Sequence, residues 1–106
     1  MENTEILIVL FNLKKGIKVD DYETFARNID SPTIKKLNSN RSFIILKGLH
    51  LFGMDAPSPY QYIEIMAITS FEELANDVKQ SHVQSMLSKF MEFAEDPRLI
   101  VTKKLV

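Results

Sequence analysis

Residues Ile6-Leu7-Ile8-Val9-Leu10-Phe11 are apolar at every position and rich in β-branched side chains. A run this short is a strand, and its lack of polar alternation makes it one buried on both faces. Such a strand belongs in the middle of a sheet, so the rest of the chain must supply neighbours on both sides and at least one covering layer.

The chain supplies them in a fixed order. Lys14-Lys15-Gly16 ends the first strand. Residues 20–29 then repeat at helical spacing, with Val19, Tyr22, Phe25, Ala26 and Ile29 on one side. Asp30-Ser31-Pro32-Thr33 breaks this helix and restarts it, with Ser31 as N-cap and Pro32 in the first helical position. Ile34 and Leu37 are the inward residues of the short second piece, and Asn38-Ser39-Asn40 is a turn. Residues 42–51 and 60–68 read as two further strands, joined by a connection over 53–59 too long for a tight turn. Ser70, with Glu73 three residues on, makes a capping box. It opens one long helix whose inner face carries Phe71, Leu74, Ala75, Val78, His82, Met86, Phe90 and Phe93. Asp96-Pro97 stops that helix, and residues 99–103 form the last strand.

The order β-α-β-β-α-β predicts an α+β fold, the ferredoxin-like sandwich, as a single domain over residues 1–106. In this fold the first and third strands are central. They are the most apolar here, while the other two carry Arg41, Lys47, Arg98, Lys103 and Lys104, charges suited to edges. Both helices cover one sheet face, yet the strands hold more large apolar residues than one face can bury. Two sheets paired face to face would bury the excess, which predicts a homodimeric α/β barrel.

Composition removes several kinds of function. With 13 basic and 14 acidic residues the net charge is -1, and no basic patch suggests nucleic acid or a membrane surface. There is no cysteine, so disulfides, thiolate nucleophiles and cysteine-held metals are excluded. The acidic start has no basic leader, and no stretch approaches the ~20 apolar residues needed to cross a bilayer, so the expected location is the cytoplasm. No phosphate-binding or dinucleotide glycine motif, nucleophile elbow or zinc-protease helix is present, so neither a cofactor nor a metal is expected.

The candidate chemistry lies on otherwise apolar elements. Strand alternation puts Tyr62, Glu64 and Met66 on one face, with Glu64 in the middle of a central strand. A buried carboxylate there is either a general acid or base with a raised pKa, or half of an ion pair with Arg41 or Lys47. His82, on the apolar stripe of the long helix, is either a proton shuttle or a hydrogen-bonded packing residue. Asp30 is either a helix-end residue or a pocket carboxylate held by the helix break. The candidate set is thus Glu64 and His82 for catalysis, with Tyr62, Asp30, His50 and Arg41 for binding a small-molecule substrate. Tyr22 and Tyr60 read as packing residues.

Three segments together resemble a known family: Asp30-Ser31-Pro32-Thr33 with Leu37 and Ser42-Phe43, then Pro59-Tyr60-Gln61-Tyr62-Ile63-Glu64, then Phe90-Met91-Glu92-Phe93-Ala94-Glu95-Asp96-Pro97. They are similar to the RedY-like/HapK family of small proteins from prodiginine-type pyrrole biosynthesis. The resemblance implies a dimeric α/β barrel and a condensation or dehydration that builds a bipyrrole or related heteroaromatic. Asp30, Tyr62 and Glu64 match recurring positions of the family, whereas Phe25 stands where relatives often have a larger aromatic. Related dimeric barrels include cofactor-free monooxygenases, isomerases and sugar mutarotases, so architecture alone leaves the reaction open. A non-catalytic binder of a reactive intermediate is the other expectation.

Overall fold

The computed structural model describes residues 5–106; the acidic start at residues 1–4 lies outside them. Strand β1 (Glu5–Leu13) leads to helix α1 (Val19–Phe25), a π-turn (Ala26–Asp30) and helix α2 (Ser31–Lys35). Strands β2 (Asn40–Lys47) and β3 (Tyr62–Ile68) follow, then helices α3 (Phe71–Asp77) and α4 (Ser81–Phe93), and strand β4 (Ala94–Lys103). The strands form one antiparallel sheet in the order β2-β3-β1-β4, so β1 and β3 are central as their composition requires.

Pairing aligns residues across the whole sheet. One row runs Ile45, Glu64, Val9, Leu99, and the next row on the same face runs Phe43, Met66, Leu7, Val101. This is the face that the helices cover over β2, β3 and β1, while at edge strand β4 Leu99 and Val101 stay exposed. Val9, Phe11, Tyr62, Glu64, Met66 and Ile68 are buried on it. Aromatic rings fill the gap to the helices: Phe11 stacks on Tyr62 at 5.6 Å and meets Phe90 edge-on at 4.9 Å. The opposite face carries the row Ile44, Ile65, Ile8, Ile100, which no helix covers. Ile44 is 51% exposed and Ile100 45%.

Both helical crossovers depart from the pattern that periodicity predicts. Ser31 is not an N-cap: it is helical in backbone conformation, and its N–H donates to the carbonyl of Ala26, five residues back. Pro32 has no N–H to give to residue 28 and its ring crowds that turn, so the chain stays helical by widening into a π-turn. The extra residue in the turn exposes Ile29, expected inside, and buries Asp30 in its place.

The long helix over 70–94 is two helices. Ser70 caps the first as expected, accepting from the N–H of Glu73 at 3.0 Å. The chain then turns over 78–80, where Gln80 is extended and the Gln84 side chain donates to the Val78 carbonyl. This resets the helical phase. Val83, Met86, Phe90 and Phe93 face inward, and His82 is exposed instead of lying on the apolar stripe.

Asp96-Pro97 does not stop the helix, which ends at Phe93; the two residues lie within β4. Between Asn12↔Glu95 and Leu10↔Arg98 the pairing accommodates one extra residue on β4, and Asp96 takes a positive φ of 44° there. An edge strand with a bulge is where a proline can sit without breaking a ladder. Strands β2 and β3 are shorter than the predicted 42–51 and 60–68. Gly48 begins the connection, and a Cβ there would collide with the carbonyl of Tyr60.

Candidate active site

The π-turn and the centre of β3 bring two carboxyl groups together. Asp30 is 3% exposed and Glu64 7% exposed. They lie close enough for each to perturb the other's ionisation, and Tyr22, fully buried on α1, is the third group beside them. Tyr22 Oη, Asp30 Oδ2 and Glu64 Oε2 are all buried without an ordinary donor–acceptor partner. Two ionised carboxylates have no donor between them, so the pair is consistent only with at least one proton held on it.

The electrostatics agree. Burial raises the Asp30 carboxyl to about 6, while its hydrogen bond to Glu64 pulls the other way. Burial raises Glu64 well above the usual carboxylate range, and the neighbouring Asp30 charge raises it further. Burial also pushes the Tyr22 hydroxyl up, reinforced by Glu64 and Asp30, so it remains a donor. Both carboxyls are thus pushed toward the protonated form, and two carboxyls buried together favour one proton shared between them.

Tyr22 also lines a cavity of about 510 Å³ between α1, the π-turn, α2 and β2, whose walls include Tyr62 but neither Asp30 nor Glu64. The Tyr62 hydroxyl is engaged, donating to Glu23 at 2.7 Å. Glu23 also receives Lys47 at 2.8 Å and Arg27 at 3.3 Å. The Lys47 and Tyr62 hydrogen bonds hold the Glu23 carboxyl below its usual range against a smaller opposing effect of burial. The ion pair of Lys47 is therefore with Glu23, not Glu64.

The structure thus brings Asp30, Glu64 and Tyr62 to one region and leaves the other candidates outside it. His50 is exposed in the connection between β2 and β3, bridging Pro57, beside a separate recess shared with Met54 and Asp55. Arg41 is exposed in a bulge of edge strand β2, where the pairing shifts between Asn40 and Ser42. His82 is exposed on α4. Tyr22 and Glu23 were not among the candidates. Periodicity already sets Tyr22 on the inward side of its helix; the signal for a role beyond packing is Pro32 within a continuing helical pattern, since a proline without a helix stop requires a local widening, and that widening brings Asp30 beside Tyr22.

The family model described as REDY-like protein HapK matches residues 5–105. Among solved structures, HapK from Hahella chejuensis is 25% identical, covering 95% of this chain and 92% of that one, with a TM-score of 0.75. A protein of Arabidopsis thaliana is 14% identical with 96% of both chains covered and a TM-score of 0.79. A dimeric ferredoxin-like protein of unknown function from Thermobifida fusca is 10% identical, covering 98% of this chain and 93% of that one, at a TM-score of 0.74. No curated protein matches the sequence.

Proposed function

This chain belongs to the family of the REDY-like protein HapK, and from that premise we propose that it is a cofactor-free acid–base enzyme of small-molecule biosynthesis. Its reaction is the dehydrating condensation or cyclisation of a pyrrolic or related aromatic intermediate. The observation that carries this reading is the buried Asp30–Glu64 pair beside Tyr22, which lines the cavity, with both carboxyls pushed toward the protonated form. Loss of water needs one proton delivered to the departing hydroxyl and another removed from ring carbon or nitrogen. A pair that keeps one mobile proton does both and returns to its starting state. Tyr22 stands between pair and cavity, so it passes the proton, while Tyr62, its hydroxyl tied to Glu23, offers its ring as a stacking wall.

The test is turnover of a pyrrolic condensation substrate, followed by loss of the starting carbonyl. Glu64→Gln and Asp30→Asn should each cut the rate at least ~100-fold with the fold intact by circular dichroism. Unchanged rates in both variants would refute the role.

One observation favours a second reading. Both carboxyls are nearly inaccessible, which suits a protein that binds and delivers a reactive intermediate without converting it. That reading predicts tight binding with no product, and variants that change affinity alone.

The uncovered isoleucine row also supports a working homodimer built by pairing bare sheet faces. Two neighbours are described as dimeric. Sedimentation of the wild type should give a dimer, and Ile65→Glu should give a monomer.

A further inference from the structure

The mouth of the cavity carries an unbalanced charge. Arg27, Lys35 and Lys47 line it, and Glu23 is its one acidic lining residue. Glu23 is already saturated by the Tyr62 hydroxyl, Lys47 and Arg27. Lys35 has no ion pair among the described residues and is exposed on α2. Three cations against one carboxylate leave a net +2 at a mouth whose inner walls include the apolar Phe43 and the ring of Tyr62. This excess is local, since the chain as a whole carries a net -1. Low-dielectric walls beneath a cationic rim concentrate the field on whatever enters.

We propose that this cavity selects an aromatic ligand bearing a carboxylate, its rings on Tyr62 and Phe43 and its carboxylate between Lys35 and Lys47. The inference rests on the reading of this cavity as the substrate site, and it adds the charge of the ligand. Lys35 supplies an attraction that no carboxylate among the described residues uses. Glu23 acts as a positioning residue: it fixes Lys47 and Tyr62 so that the cation stands at one end of the aromatic wall.

The test is a titration of the full chain with indole-2-carboxylate and, separately, its neutral counterpart indole-2-carboxamide, followed by backbone amide NMR. The acid should perturb residues 22–35 and 43–47 and bind about tenfold tighter than the amide at low salt. That preference should shrink as salt is added. Lys35→Met should weaken the acid about threefold and leave the amide unchanged. Equal affinity of acid and amide, with the same residues perturbed, would overturn the charge inference while keeping the site. If neither compound perturbs those residues, the inference falls together with the assignment of the cavity as substrate site. Because the readout is binding, loss of turnover in the Glu64 or Asp30 variants has no bearing on it.

Discussion

The two helical crossovers pack on the same sheet face, and each is interrupted once, with opposite consequences. The first absorbs an extra residue by widening a turn: Ser31 bonds back to Ala26, the helix continues, and Asp30 rotates inward against Glu64. The second ends and restarts: the chain becomes extended at Gln80, a new helix begins, and the restart leaves His82 in solvent and Val83 inside. A widened turn keeps the helix axis and shifts the face by one residue, whereas a stop and restart sets the phase afresh. In this protein the first device buries Asp30 beside a second carboxyl, and the second keeps His82 out, while Asp77 just before it is buried as a structural acceptor of the Ser39 N–H.

The sharpest way to break this contrast is through activity. Removing the ionisable group that each crossover controls should separate them by two orders of magnitude. Asp30→Asn should lower turnover at least ~100-fold, and His82→Ala should change it less than about twofold. Comparable losses in both would place the chemistry on α4 and erase the distinction.

Stability separates neighbouring residues of the second crossover. Met86 is 3% exposed, so Met86→Ala should cost about 3 kcal/mol in urea unfolding. His82→Ala should stay within about 0.5 kcal/mol. A large loss at His82 would mean that the helix runs unbroken through 78–80.

Those two residues show what could and could not be seen without coordinates. The centrality of β1 and β3 follows from their unbroken apolar composition and the bare sheet face from the apolar excess, while the inward side of Glu64 follows from alternation, which has only two phases. A helix past an irregularity has no such restriction. Positions 71, 74, 78, 86, 90 and 93, all apolar, fit one continuous stripe with His82 on it, and only the packing of Val83 decides that the stripe is broken. Likewise Pro32 signals an irregularity but not its kind: a stop would have left Asp30 as a turn residue, while a π-turn makes it half of an acid pair. The roles of Tyr22 and Glu23 depend on that outcome, which is why residue types alone did not single them out.

The first crossover also leaves a mark on pH dependence. Asp30 rises to about 6 in the folded chain from an ordinary value of 3.8, so the folded state holds its proton where the unfolded chain has lost it. Stability from this group is therefore greatest in acid and declines as pH rises from about 4 to 6, then levels off. Wild type minus Asp30→Asn, from urea midpoints at several pH values, should show a decline on the order of 2 kcal/mol across that window. Taking the difference removes carboxyls such as Glu23, which is held low and acts in the opposite sense, while Glu64, raised in part by Asp30, adds to the decline in the same sense. A flat difference would mean that Asp30 is not buried against Glu64.

The smallest effect compares the two serines read as N-caps, Ser31 where the first crossover's helix restarts and Ser70 where the second crossover's helix begins. Ser70 is extended in backbone and its hydroxyl accepts from Glu73, so it satisfies one of the N–H groups that a helix start leaves without a partner. Ser31 is helical, makes no side-chain cap bond, and its own N–H is already spent on Ala26. Ser70→Ala should thus cost about 1 kcal/mol and Ser31→Ala a few tenths at most, both read as shifts in urea midpoint at constant slope. Alanine's higher helix propensity even works in favour of the second change, because position 31 lies inside a continuing helix. Equal losses at the two serines would show that the chain stops and restarts at Pro32. Asp30 would then return to ordinary turn chemistry, and the acid pair would lose the turn that puts it together.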